Sequence, residues 1–115
     1  MGLARGGRVA AALALAGALL PAAAADAPDG AALYTLNCLA CHGADLRGLD
    51  GSGVPLVGSR FVASQSADGL AAFLRAGRLP DAADSVAGRA MPAFAWLPAP
   101  ELAALAAWVK ARAGG

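Results

Sequence analysis

The sequence predicts an all-α fold of three or so helices joined by long loops. Apolar residues recur at three- and four-residue spacing in three separate stretches, which is helical periodicity. No stretch alternates apolar and polar residues as a half-buried strand does. The segments between the periodic stretches are rich in Gly, Asp, Ser and Pro and carry scattered apolar side chains, the composition of loops.

Residues 1–25 read as a secretory signal peptide. Arg5 and Arg8 form a positive start, Val9 to Leu20 is an unbroken apolar and glycine run, and Pro21 breaks it. Small residues follow, and cleavage is expected after Ala25, before Asp26. The alternative is an uncleaved anchor, for which the run is short. Much of the 58% apolar composition comes from this segment and from alanine, and no later stretch is long and apolar enough to cross a bilayer. Residues 26–115 then form one domain with seven basic and eight acidic residues. That near-neutral balance argues against nucleic acid as a partner and against strong long-range steering.

In the mature chain the first helix is expected from Gly30 to about Leu39, with Leu33, Leu36 and Ala40 on one face and Gly43 ending the helical segment. Residues 44–66 form a loop long enough to wrap an object, with Leu49, Val54, Leu56, Val57, Phe61 and Val62 expected to face it. The second helix is predicted over Ala67–Ala76, capped by Ser66 or Asp68 and closed by Gly77. Its apolar face is Leu70, Phe73 and Leu74. Residues 78–97 form another irregular segment. The last helix is expected from about Pro100 to Arg112, with proline suited to a first turn and Lys110 and Arg112 suited to a helix end. Pro98-Ala99-Pro100-Glu101 supplies no Ser, Thr or Asp cap.

What the first loop wraps is indicated by Cys38-Leu39-Ala40-Cys41-His42, which contains both cysteines and the only histidine of the chain. Cys-x-x-Cys-His is the attachment signature of c-type haem. Two thiols three positions apart reach the two vinyl groups of one porphyrin, and the adjoining imidazole is an axial iron donor. The same residues could form a redox dithiol, half a zinc site or a disulfide. Zinc would need further Cys or His ligands that the chain lacks. A redox dithiol should follow a strand in a βαβ pattern. A disulfide across so short a loop constrains little chain entropy. Haem attachment is the reading that remains best supported. A chain this short builds a marginal core unaided, so haem is expected to be part of the fold and the apoprotein largely unfolded.

His42 supplies one axial ligand, and there is no second histidine. Met91 is the one methionine beyond the leader. Pro92 biases it toward extended backbone, from which a thioether can project inward. A buried methionine is more often a gap filler, but with a haem present Met91 is the single candidate for the second axial position.

Gly30-x-x-x-Tyr34-x-x-x-Cys38-Leu39-Ala40-Cys41-His42-Gly43, then Gly88-Arg89-Ala90-Met91-Pro92-Ala93-Phe94, then Leu102 to Val109 with Trp108, resemble in that order the haem helix, methionine loop and closing helix of class I (monohaem) c-type cytochromes of the bacterial periplasmic type. The four-helix c′ type differs in carrying its haem string near the C-terminus. The resemblance implies a small cytochrome c fold, its helices and long loops wrapped around one covalent haem c. It implies that Gly30, Tyr34, Leu105 and Trp108 meet where the first and last helices cross. It also implies a proline carbonyl that accepts from the free imidazole N–H, for which Pro55 is the candidate, with an ordinary turn as its other reading. Arg60, Arg75, Arg78, Arg89 and the indole of Trp96 are unranked candidates for the haem propionates, and Pro55 and Trp96 are assigned to the haem pocket.

With both axial positions filled by His42 and Met91, the expected function is electron transfer in the periplasm rather than catalysis. Expected partners are redox proteins such as a dehydrogenase or a terminal oxidase. The alternatives are a cytochrome subunit bound stably to a periplasmic dehydrogenase, and a haem sensor or peroxidase with an open axial site.

Overall fold

The computed structural model describes Gly2 and residues 27–114. The expected leader therefore lies outside the described residues apart from Gly2. Five helices are present among them: α1 (Gly30–Asn37), α2 (Leu39–His42), α3 (Arg60–Ser64), α4 (Ala67–Ala76) and α5 (Ala99–Ala113). The only strand-like pairings among these residues are the isolated bridges Leu49–Gly53 and Arg78–Met91.

The first helical stretch is two helices rather than one. Asp29 caps α1 by accepting from the N–H groups of Ala31 and Ala32. The α1 helix stops at Cys38, whose backbone leaves the regular helical conformation (φ −122°, ψ −30°). The four-residue α2 then follows and ends at Gly43 (φ 82°). The expected Leu33–Leu36–Ala40 face is corrected: α1 buries the side that carries Tyr34 and Cys38, and Leu36, two residues from Tyr34 and so on the opposite side of the same helix, is 81% exposed.

α4 has the predicted bounds. The Ser66 side chain accepts from the Gly69 N–H at 2.9 Å, Gly77 follows at φ +68°, and Leu70 and Leu74 are buried. Sequence periodicity did not reveal α3, whose five residues are too few to register a helical period. Ser59 caps it by accepting from the Val62 N–H. α5 begins at Ala99, and its N-cap residue Pro98 makes no side-chain cap bond. That agrees with the absence of a capping residue there.

The core centres on α5, where Leu102, Leu105 and Ala106 are at most 1% exposed. α1 and α4 both pack against it. At the α1–α5 contact the Tyr34 and Trp108 ring centroids are 4.9 Å apart. A Cβ on Gly30 would lie 2.5 Å from Trp108 Cβ and 2.7 Å from the Ala104 carbonyl, so only glycine permits this approach. Gly30, Tyr34 and Trp108 thus meet at the expected helix contact, and Leu105 is fully buried on α5. Lys110 on α5 donates to the backbone carbonyls of Val62 and Gln65, tying the end of α3 to the core. No helix among the described residues is long and apolar enough to cross a membrane.

Candidate functional site

Cys38, Cys41, His42 and Met91 line one cavity of about 400 Å³, within the size range of cofactor sites. Its apolar walls include Val54, Leu56, Phe61, Val62, Leu70 and Leu74, and the charged side chains lining it are Arg78, Asp84 and Arg89. Four chemistry-bearing residues from two segments of the chain therefore converge on one largely apolar space.

The break between α1 and α2 sets the two thiols. Cys38 is buried at the junction, and Cys41 is exposed one turn later. Burial, with a smaller contribution from the neighbouring Cys41, pushes the Cys38 thiol up to about 11. No disulfide joins them. The Tyr34 hydroxyl donates to the Gly43 carbonyl at 2.6 Å, joining α1 to the turn after His42. Burial, followed by the charges of Cys38 and Asp45, pushes that hydroxyl up to about 12, so it remains a donor throughout the physiological range.

His42 is 8% exposed, and its Nδ1 lies 2.8 Å from the Val54 carbonyl oxygen. A carbonyl can only accept, so this contact requires the proton on Nδ1. The lone pair of the neutral ring is then on Nε2, the arrangement by which a second partner fixes a metal-binding imidazole. The acceptor is the residue before Pro55, which corrects the assignment of that role to the proline carbonyl. Pro55 itself lines the cavity. Its ring restricts the preceding residue to extended backbone, so its effect reaches His42 through the Val54 carbonyl. Gly53 completes the contact. A Cβ there would collide with the Cys41 carbonyl and stand 3.1 Å from His42 Nδ1.

On the opposite segment, Met91 is half-buried and pairs with Arg78 in both directions: the Arg78 N–H donates to the Met91 carbonyl at 2.8 Å, and the Met91 N–H donates to the Arg78 carbonyl at 2.9 Å. Gly77 allows this pairing, since a Cβ on it would lie 2.6 Å from the Met91 carbonyl. Trp96 does not join the site. It is 67% exposed, lies outside the cavity lining and stands 6.4 Å from the Phe94 ring. Of the residues expected to face the enclosed object, Leu49 and Val57 are absent from the lining while the other four belong to it. Arg78 and Arg89 line the cavity, and Arg60 and Arg75 do not.

The donor set fits haem better than a bare metal ion. Among the described residues no group of three His, Cys, Asp or Glu side chains could hold a metal ion. Two free thiols, an imidazole presenting Nε2 and a thioether around one apolar cavity match the attachment and axial needs of a c-type haem. Cys38 and Cys41 would hold it by thioether bonds, with His42 and Met91 available to the iron.

Comparison with known proteins agrees. The family model described as Cytochrome C oxidase, cbb3-type, subunit III matches residues 25–109. No curated protein and no solved structure matches the chain. The match covers most of the chain, including the Cys-x-x-Cys-His string and the methionine loop, so the protein is a c-type cytochrome of all-α fold with covalently bound haem c, and it belongs to the family of Cytochrome C oxidase, cbb3-type, subunit III.

Proposed function

We propose that the protein is a periplasmic monohaem electron carrier with His42 and Met91 as axial ligands. The observation that carries this reading is the convergence of Cys38, Cys41, His42 and Met91 on one cavity, with His42 Nδ1 tied to the Val54 carbonyl. Bound haem supplies a one-electron couple, Fe(III) to Fe(II) on receiving an electron from a reduced donor and back on passing it to an acceptor. The chain's residues hold that couple in place. Cys38 and Cys41 prevent its loss, the Val54 carbonyl orients the imidazole, and the apolar walls exclude water. With a thioether on the second axial side, no position is left for a substrate, and the function is transfer rather than catalysis. Methionine ligation also raises the potential relative to a second histidine.

The family's description favours a terminal oxidase as the electron acceptor over a dehydrogenase as permanent host. The protein then acts outside the cytoplasm, as residues 1–25 suggest, with the attached domain following that leader. Co-purification with an oxidase supports this partner, and stable co-purification with a dehydrogenase replaces it.

The primary test is the optical spectrum of the holoprotein, ferric and ferrous, with and without carbon monoxide. A far-red sulfur-to-iron band and resistance to carbon monoxide are expected. Met91→Ala should abolish the band and admit carbon monoxide. If that substitution changes neither property, Met91 is not a ligand. Rapid binding by the unmodified protein would indicate an open site and redirect the function to sensing or peroxide chemistry.

A further inference from the structure

Arg78 occupies an unusual position for a charged residue. Its side chain is only 14% exposed, and its guanidinium carbon stands 5.1 Å from the Phe61 ring centroid and 4.9 Å from that of Phe73. Those rings come from α3 and α4. Its Nε donates to Asp84 Oδ2 at 3.1 Å, and Asp84 lies in the middle of the loop that leads to Met91. Its backbone holds the far end of the same loop through the two hydrogen bonds to Met91. One residue therefore touches both walls of the cavity, the middle of the methionine loop and the methionine itself.

The other bonds of this loop are local. Leu79–Ala82, Ala82–Ser85 and Val86–Arg89 each close a single turn, and the Ser85 hydroxyl donates to the Arg89 carbonyl four residues on. None of these reaches across to α3 or α4. The loop also carries Ala87 at φ +55°, a conformation unfavourable for a residue with a side chain. The link between loop and walls thus passes through Arg78, with the return of the chain at Phe94 N–H to the Leu74 carbonyl as the next fixed point.

We propose that Arg78, held by Asp84, is a positioning residue that keeps Met91 in its place facing the cavity. The proposal rests on the His42/Met91 reading above. The guanidinium suits this role because it can stack on aromatic faces and hydrogen-bond a carboxylate in one geometry, which a lysine cannot. When the Arg78–Asp84 pair opens, the loop loses its hold on the walls and Met91 is free to leave. The fraction of molecules with Met91 displaced then rises.

Apparent carbon monoxide affinity reads that fraction directly, since a ligand that binds only the open form sees its affinity scaled by the open population. Asp84 is 63% exposed, so its pairing is of the modest, screened kind. Asp84→Asn is expected to raise the apparent affinity of the ferrous holoprotein about twofold to fivefold. Arg78→Gln, which also loses the aromatic contacts, should raise it about tenfold or more. Molar salt should bring the unmodified protein toward the Asp84→Asn value and leave that variant almost unchanged. Asp84→Glu should restore most of the original behaviour. Haem content must be equal in all of these proteins, which confines the comparison to the axial side.

An unchanged affinity in Asp84→Asn and Arg78→Gln, with the far-red band present in the unmodified protein, overturns the proposal and leaves the axial assignment standing. If Asp84→Asn exceeds the unmodified protein by the same factor at low and at molar salt, the proposal is also overturned, because the ion pair would not be the cause. If the unmodified protein has no far-red band and binds carbon monoxide as readily as Met91→Ala, the axial reading fails and this inference falls with it.

Discussion

Around His42 the chain is fixed by hydrogen bonds that cross between segments, whereas around Met91 most of them close single turns. On the first side, the Leu56 and Val57 N–H groups both donate to the Leu46 carbonyl, Gly48 donates to the His42 carbonyl, and Tyr34 reaches over to Gly43. His42 itself is held by Val54, twelve residues away. On the second side, residues 79–90 are largely exposed and are joined to the rest by the Arg78–Met91 pairing and one ion pair. The difference suggests a division of labour. The histidine segment provides a rigid seat on which attachment can occur, and under the proposed His42/Met91 ligation the methionine segment is the side that disturbance would release first.

The largest effect is expected on the rigid side. Gly53→Ala forces a Cβ into the Cys41 carbonyl and against the imidazole, and both neighbours are held, Cys41 through its N–H to the Cys38 carbonyl and His42 through Nδ1 to the Val54 carbonyl. A cost of about 3 kcal/mol is expected, at the upper end for overpacking, with a severe fall in the yield of covalently attached haem. Haem staining on a denaturing gel together with denaturant unfolding checks this. Normal attachment and unchanged stability would show that the seat is softer than its bonding implies.

The matching substitution on the other side is Gly77→Ala. It meets the Met91 carbonyl and must also adopt φ +68°, for a cost of about 2 kcal/mol. Here the neighbour is a loop that can give way. Haem attachment should therefore be nearly normal, while the far-red band weakens and carbon monoxide binds. The pair of variants tests the comparison by the kind of damage as well as its size. If Gly77→Ala impaired attachment as much as Gly53→Ala, the two sides would fold as one unit.

The same contrast explains what could be read from the sequence. The Cys-x-x-Cys-His string and the Ser66 and Gly77 ends of α4 are local in the chain, where spacing and residue type determine the geometry directly. Met91 stands out in the sequence as the one methionine beyond the leader, and it lines the cavity that Cys38, Cys41 and His42 share. Leu36 shows the limit of helical spacing: Leu33 and Leu36 share a helical stripe, yet α1 buries the stripe of Tyr34 and Cys38, because Gly30 lets that side approach Trp108 on α5. Trp96 enters the expected pocket as an indole donor for the propionates, yet Phe94 enters the core while Trp96 faces solvent. Arg78 stood among four unranked arginines. Its contacts to Phe61 and Asp84 follow no helical spacing, so nothing local distinguished it.

Pro55 is the most instructive of these, and its variant gives the smallest expected effect. The resemblance points to the proline's own carbonyl, whereas the Val54 carbonyl before it is the one that faces His42 Nδ1. A backbone acceptor has no residue-type signature, but a proline does restrict the residue that precedes it. Pro55→Ala leaves the Val54 carbonyl chemically present and loosens only its direction. Stability should fall by about 0.5–1 kcal/mol, largely through the greater freedom of the unfolded chain. Haem attachment and the far-red band should remain. A loss of either would mean that the contact to His42 depends on the proline ring to hold Val54 in place, and that the seat of the histidine is only as rigid as this one restriction makes it.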